Sequence, residues 1–88
     1  MNLNESWVLV IRNKVRKSLS KFPVSDQVRL TEVIQHLPVD PFAGDIEKME
    51  GGENWRRRVG VYRIFYEIIL AEKVVYVFDV KRRTSATY

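Results

Sequence analysis

Hydrophobic positions in the first quarter of the chain change their period at residue 11. Residues 6–11 (SWVLVI) form a short apolar run that is rich in β-branched and aromatic residues, and this predicts a buried strand. Over residues 11–21 the apolar positions recur at helical spacing and basic residues occupy the other faces, which predicts an amphipathic helix. The apolar stripe of this helix consists of Ile11, Val15, Leu19 and Phe22.

A second helix is predicted to follow Pro23 and to end before Pro38. Ser25 is assigned as its N-cap, and Asp26 lies in the first turn, where a carboxylate interacts favourably with the positive end of the helix. The two predicted helices, separated by a few residues, form a helical hairpin. The apolar stripe of the second helix consists of Leu30, Val33, Ile34 and Leu37.

The second half of the chain is predicted to be a loop followed by β-structure. Residues 38–53 are rich in proline and glycine, which is typical of a connecting loop, and residues 45–49 within it are a candidate short edge strand. Three segments rich in Val, Ile, Tyr, Phe and Trp follow, with turns at Gly60 and at residues 71–73. The three predicted strands are Trp55–Val59, Val61–Leu70 and Val74–Val80.

This order of elements predicts a β-α-α-β-β-β domain of the α+β class, with the helical hairpin packed on one face of a twisted, mostly antiparallel sheet. We expect a single domain over residues 1–88. Arg56 and Arg58 are two residues apart and share a face of their strand, whereas Arg57 points the other way. In the middle strand one face carries Tyr62, Ile64, Tyr66 and Ile68, and the other carries Val61, Arg63, Phe65 and Glu67.

Composition narrows the chemistry that this domain can perform. The 88 residues contain no cysteine and one histidine, which excludes disulfide frameworks, thiolate metal sites and mechanisms that need two imidazoles. His36 has no ligand-type partner at useful spacing, and we expect it to be a structural or surface residue. No apolar run is long enough to span a membrane and no signal-peptide pattern opens the chain, so we expect a cytoplasmic protein.

The net charge of +4 is unevenly distributed. Residues 12–21 hold five basic residues and no acidic one, residues 40–53 hold five acidic residues and one lysine, and residues 54–88 hold eight basic and three acidic residues. We expect the acidic loop to serve solubility or to contact the basic helix rather than to bind Mg²⁺. The basic residues of the β half either converge on one sheet face and bind a polyanion such as single-stranded nucleic acid, or cover exposed strands with their methylene stems.

Two segments resemble the RelE/ParE superfamily of bacterial and archaeal toxins. Residues 45–52 (DIEKMEGG) are similar to the family's DxKKLxGG loop, and residues 55–67 (WRRRVGVYRIFYE) are similar to its WRxRVGxYRxxY hairpin. The upstream strand, basic helix, proline and second helix also follow the family's order. In this superfamily RelE-type members cleave messenger RNA in the ribosomal decoding site, whereas ParE-type members share the fold and act on DNA gyrase.

The resemblance implies a reaction without metal or cofactor, in which a ribose 2′-OH attacks the adjacent phosphate and cationic side chains stabilise the transition state. Arg63 matches the family arginine that contacts the scissile phosphate. Arg82 matches the position proposed to protonate the leaving 5′ oxygen, and Tyr88 matches the terminal aromatic residue that stacks on or orients the nucleotide. The resemblance therefore favours RelE-type cleavage of messenger RNA.

Two further positions of the resemblance depart from the family pattern. Arg56 and Arg58 fall where RelE-type members carry basic residues, often lysines, of which one is a proposed general base. Because arginine stays protonated, the expected role of these two residues is electrostatic. Lys81 is the alternative candidate for the base.

The resemblance also implies a protein partner, an antitoxin encoded beside the toxin, whose acidic or amphipathic segment wraps the helices and the sheet. The alternatives to an RNA-cleaving enzyme are a ParE-like gyrase inhibitor that is not a nuclease and a catalytically degenerate antitoxin-binding protein. The residues expected to bind the ribosome and RNA outside the catalytic set are Arg12, Lys14, Arg16, Lys17, Lys21 and Arg83.

Overall fold

A computed structural model describes residues 7–83, and in this range two helices pack on a five-stranded sheet. The strands lie in the order β1-β5-β4-β3-β2, with β1 parallel to β5 and all other neighbours antiparallel. The predicted α+β class and the candidate edge strand in the acidic loop are confirmed. The elements are β1 (Val8–Ile11), α1 (Asn13–Leu19), α2 (Val24–His36), β2 (Ile46–Lys48), β3 (Asn54–Val59), β4 (Tyr62–Ile69) and β5 (Val74–Arg82).

One face of the sheet, which we call the covered face, packs against both helices and holds the core. Val15 of α1 and Leu30 of α2 are fully buried against it. The predicted alternation in β4 is confirmed, because every second residue of that strand is buried in this core. The β4 residues that contribute are Tyr62, Ile64, Tyr66 and Ile68.

The prediction that residues 6–11 form a buried strand is wrong in part. β1 is an edge strand that pairs with β5 alone, and its side chains alternate between the core and solvent. Leu9 and Ile11 pack against the core, whereas Val8 is 59% and Val10 42% exposed. Every side chain of an apolar strand is buried only where both faces of the sheet are covered. The described helices cover one face of this sheet.

The predicted N-cap of the second helix is also wrong. α2 begins at Val24, one residue before Ser25, and its N-cap is Pro23 without a side-chain hydrogen bond. The Pro23 carbonyl accepts hydrogen bonds from the backbone N–H groups of Asp26 and Gln27 at 3.0 and 2.9 Å. The backbone thus starts the helix, while Asp26 lies in the first turn as predicted.

The turns between the last three strands lie where they were predicted. Gly60 has φ +58° and connects β3 to β4, a conformation that favours glycine. Between β4 and β5 the chain forms a short 3₁₀-helix over Leu70–Glu72. His36 is exposed, as expected, and its Nδ1 lies 3.0 Å from the Glu32 carbonyl oxygen. None of the helices between residues 7 and 83 is long and apolar enough to cross a membrane.

Candidate functional site

The second face of the sheet, which we call the open face, collects basic side chains from three adjacent strands. In the antiparallel register Arg58 lies opposite Arg63, and Arg63 lies opposite Lys81. Directly opposite residues point to the same side of a sheet, and Arg56 shares this side with Arg58. The structure therefore brings together four sequence-predicted residues. We call them the cationic cluster: Arg56, Arg58, Arg63 and Lys81.

An open cavity of about 400 Å³ lies at the β4–β5 end of the cationic cluster. Phe65 lines it between the basic residues, and the Lys81 ammonium lies 5.8 Å from the centre of the Phe65 ring. A hydrocarbon surface beside fixed positive charges suits a nucleotide, whose base stacks on a ring while its phosphate binds cations. The residues lining the cavity are Arg63, Phe65, Lys81, Arg82 and Arg83.

Arg63 lies among like charges in the cationic cluster. Partial burial lowers the pKa of its guanidinium, and the neighbouring positive charges of Arg56, Arg83 and Arg58 lower it further. Among residues 7–83 no carboxylate lies within 4 Å of Arg63. A cation surrounded by like charges is stabilised by an added anion, and this arrangement suits a phosphate.

The register assigns Arg82 to the covered side of β5, because it lies directly opposite Tyr62. Arg82 is nonetheless at the exposed end of its strand and lines the same cavity as Arg63. The Tyr62 hydroxyl donates a hydrogen bond to Asp26 Oδ2 at 2.7 Å, which raises the pKa of Tyr62, while the charge of Arg82 opposes that rise. Arg82 therefore approaches the cavity from its rim.

Arg57 points to the covered face, opposite Ile64, as the alternation predicted. Its Nη1 donates a hydrogen bond to the Ala43 carbonyl at 3.3 Å, and its Nε is buried without a partner. Gly44 has φ +87° and lies directly against this guanidinium, where a built Cβ would come within 2.5 Å of Arg57 Cζ. Arg57 thus holds the loop before β2 and takes no part in the open face.

Two acidic residues of the loop pair with β3, a third pairs with Lys48 of β2, and the described ion pairs join none of them to the basic helix, so the expectation of a helix contact is wrong. Glu47 on β2 lies opposite Arg56, whose Nε and Nη2 donate to Glu47 Oε1 at 3.1 and 2.5 Å. Asp45 Oδ2 lies 3.8 Å from Arg58 Nε. The hydrogen bond from Arg56 and its positive charge lower the pKa of Glu47. Strand pairing brings these carboxylates to β3 because β2 is its edge neighbour.

A buried carboxylate, Asp79, lies between the basic helix α1 and the cationic cluster. Asp79 is 8% exposed, and its Oδ2 lies 3.4 Å from Lys14 Nζ on α1 and 3.8 Å from Lys81 Nζ. Its Oδ1 accepts a hydrogen bond from the Val80 backbone N–H at 2.9 Å. Asp79 thereby connects α1 to the cationic cluster.

The remaining predicted residues lie beside the cluster or outside the described range. Arg83 is exposed and lines the cavity, while the five basic residues of the α1 region are exposed on the neighbouring surface. Tyr88 lies outside the described residues. No group of three or more His, Cys, Asp or Glu side chains between residues 7 and 83 is placed to hold a metal ion. The α1-region residues are Arg12, Lys14, Arg16, Lys17 and Lys21.

Comparison with known proteins places this architecture in a family. A family model described as the ParE toxin of the type II toxin–antitoxin system, parDE, matches residues 9–86. The chain belongs to this toxin family. The toxin is also 26% identical over 80 residues to the RelE1 protein of Methanocaldococcus jannaschii, an alignment that covers 86% of the toxin and 89% of RelE1.

Solved structures with the same fold include RelE proteins from archaea and bacteria. The RelE–RelB complex from Pyrococcus horikoshii OT3 matches with a TM-score of 0.82 and 28% identity, over 92% of the toxin and 99% of that chain. The isolated E. coli RelE toxin matches with a TM-score of 0.76 and 18% identity, over 92% of the toxin and 88% of that chain. The predicted membership of the RelE/ParE superfamily is confirmed.

Four residues of the toxin's site were not predicted from the sequence. Phe65 could have been predicted from the sequence, because it lies two residues after Arg63 in β4 and therefore shares its face of the sheet. Asp45 and Glu47 required the pairing of β2 with β3, since nothing in the spacing of these residues along the chain shows which cation each one faces. The contact of Asp79 with Lys14 required the packing of α1 against β5.

Proposed function

We propose that this toxin is a ribosome-dependent endoribonuclease that cleaves messenger RNA without a metal ion. The observation that carries the proposal is the environment of Arg63, a half-buried guanidinium among like charges with no carboxylate within 4 Å in residues 7–83. A scissile phosphate bound there supplies the missing negative charge. As the 2′-OH attacks, the charge that develops on the phosphate is stabilised by cations already in position.

The other basic residues of the site have different proposed roles in binding and cleavage. Arg56 and Arg58 stay protonated, so they stabilise charge and do not take the 2′-OH proton, which passes to solvent. Lys81 lies over Phe65, where it holds the phosphate side of a nucleotide whose base rests on the ring. Arg82, at the rim of the cavity, donates a hydrogen bond to the 5′ oxygen as its bond to phosphorus breaks, and this oxygen takes up a proton from solvent. Tyr88 orients the nucleotide. The products are a 2′,3′-cyclic phosphate and a 5′-hydroxyl.

A ribosome programmed with a short messenger RNA provides the test. Purified toxin should cleave the messenger within the codon in the decoding site, and the upstream fragment should end in a 2′,3′-cyclic phosphate. A messenger with a single 2′-O-methyl group at the cleaved nucleotide removes the attacking hydroxyl and should not be cut. Cleavage of that modified messenger, or the absence of any cleavage, would contradict the proposal.

The family match leaves a second candidate, because the matching model describes ParE toxins. In this alternative the basic faces bind DNA gyrase and no RNA is cut. A supercoiling assay with purified gyrase separates the two functions. Inhibition of gyrase together with intact messenger on programmed ribosomes would establish the alternative.

We propose a cognate antitoxin as the protein partner. The Pyrococcus horikoshii relative was crystallised as a RelE–RelB complex, and the toxin covers 99% of that RelE-like chain at 28% identity. The exposed basic surface of α1 suits an acidic segment of such a partner. Replacing Arg16 and Lys17 with glutamine should therefore weaken binding to an antitoxin encoded beside the toxin. The difference in affinity from the wild type should become smaller at high salt.

A further inference from the structure

Two carboxylates face the cationic cluster from the edge of the sheet. Glu47 accepts both Arg56 hydrogen bonds through one oxygen atom, and Asp45 lies beside Arg58. Both carboxylate side chains are more exposed than their partners, at 62% and 68%, compared with 32% for Arg56 and 49% for Arg58. Two of the donors that Arg56 would offer to a phosphate are therefore already bound to Glu47, and Arg58 already has a carboxylate within ion-pair distance.

We propose that Glu47 and Asp45 act as an internal phosphate mimic, which holds Arg56 and Arg58 until a polyanion with several phosphates replaces it. The carboxylate oxygens occupy positions that phosphate oxygens of bound RNA take over, and the two side chains then turn into solvent. The inference rests on the proposed function, because it concerns RNA binding at the same site. It adds a pair of residues that sets the affinity and selectivity of that site.

Exposure and charge make such an exchange feasible. Ion pairs at exposed positions contribute little free energy, so an incoming phosphate with two or three oxygen acceptors can replace a carboxylate at low cost. Arg63 lies next to both pairs and has no described carboxylate of its own, so it is the first binding point for a phosphate. The neighbouring phosphates of the same strand then reach Arg56 and Arg58 at high effective concentration.

This order of events gives the site a selectivity that four free cations would lack. A single anion gains Arg63 but is too small to displace both carboxylates. A strand with successive phosphates gains all three guanidiniums. The carboxylates therefore lower the affinity for isolated anions and for scattered negative charge, and they leave binding of a correctly placed strand less affected.

Glu47→Gln tests the inference, because it keeps the size of the side chain and removes its charge. Its matched control is Glu53→Gln, which removes the same charge from the nearby exposed Lys48–Glu53 pair, whose atoms are 3.7 Å apart. Binding is measured on ribosomes that carry the 2′-O-methyl messenger. We expect Glu47→Gln to bind about two- to fivefold more tightly than Glu53→Gln. The slope of log affinity against log salt should differ by less than about 0.7, because Arg56 reaches a phosphate in both bound complexes.

A second measurement does not require the ribosome. On a phosphocellulose column, Glu47→Gln should elute at higher salt than Glu53→Gln. When Arg56 is replaced with methionine, adding Glu47→Gln should change elution no more than Glu53→Gln does, because the mimic then has no partner. Equal elution of the two single variants, or an undiminished effect in the methionine background, would overturn the inference.

The two experiments also separate this inference from the proposed function. If the wild-type toxin does not bind programmed ribosomes, the proposed function fails, and the column still decides whether Glu47 competes with phosphate for Arg56. If the wild type binds and cleaves while Glu47→Gln binds no more tightly than its control, the proposed function stands and the inference fails.

Discussion

The covered and open faces of the sheet use arginine in opposite ways. Arg57 on the covered face has its guanidinium packed against Gly44, donates to the Ala43 carbonyl, and secures the loop before β2. Arg63 on the open face lies among like charges, without a described carboxylate within 4 Å. A guanidinium that holds a loop in place contributes to stability, whereas one whose counter-ion is missing is available to a ligand.

The difference follows from strand geometry alone. Successive side chains of a strand point to opposite faces, so a residue of the core and a residue of the site are neighbours in the sequence. In β4 Ile64 is fully buried while Arg63 lines the cavity, and in β3 Arg57 separates Arg56 from Arg58. Substitutions at adjacent positions should therefore have separable effects on folding and on activity.

The largest expected contrast is between Arg63 and Ile64. Arg63→Ala should reduce single-turnover cleavage by about 100-fold or more, which is typical when a donor to a developing oxyanion is removed, and should leave chemical denaturation almost unchanged. Ile64→Ala should lower the free energy of unfolding by about 2–5 kcal/mol because it creates a core cavity. Comparable loss of stability in both variants would show that the two faces are not independent.

Arg82 and Arg57 provide the next contrast. Arg82→Ala should reduce cleavage by at least about tenfold, as expected when a group that assists the leaving oxygen is removed. Arg57→Ala should lower the free energy of unfolding by about 1–2 kcal/mol through loss of the loop contact, with cleavage per folded molecule nearly unchanged. Equal losses of cleavage would contradict the face assignment of Arg57.

Tyr66, on the covered face, should make a contribution to stability that depends on pH. Its hydroxyl donates to the Pro41 carbonyl at 2.9 Å, and burial raises its pKa to about 12. The neutral form is favoured by folding, so this contribution is complete below the ordinary tyrosine pKa of about 10 and is lost as pH rises through about 12. Thermal melting of Tyr66→Phe should show a loss of about 1 kcal/mol at neutral pH and a smaller alkaline decline than the wild type.

Asp79 should give the smallest effect, at the boundary between α1 and the cationic cluster. Asp79→Asn keeps an oxygen for the Val80 N–H but removes the charge that faces Lys14 and Lys81. We expect a loss of no more than about 1 kcal/mol in the free energy of unfolding and a change in cleavage of only a few fold. Lys14→Gln is the control, because it removes the α1 contact and leaves Lys81 beside Asp79.

The sequence was most informative where alternation and helical spacing are strong. The buried positions of β4, the shared face of Arg56 and Arg58, and the turn at Gly60 all follow from periodicity and backbone preference. The exposed residues of β1 and the start of α2 did not follow, because they depend on which face the helices cover and on the Pro23 carbonyl. The partners of Asp45 and Glu47 are set by strand register, which residue spacing within each segment does not reveal. The contact of Asp79 with Lys14 is set by the packing of α1 against β5.

The central claim, that the open face cleaves messenger RNA through Arg63, is tested most directly by mapping messenger 5′ ends in cells. The wild-type toxin and its Arg63→Ala variant would be induced at equal protein levels in a bacterial host. We predict new 5′ ends in phase with codons for the wild type and their loss in the variant. Growth arrest by the wild type with DNA breaks at gyrase and no codon-phased 5′ ends would contradict the claim.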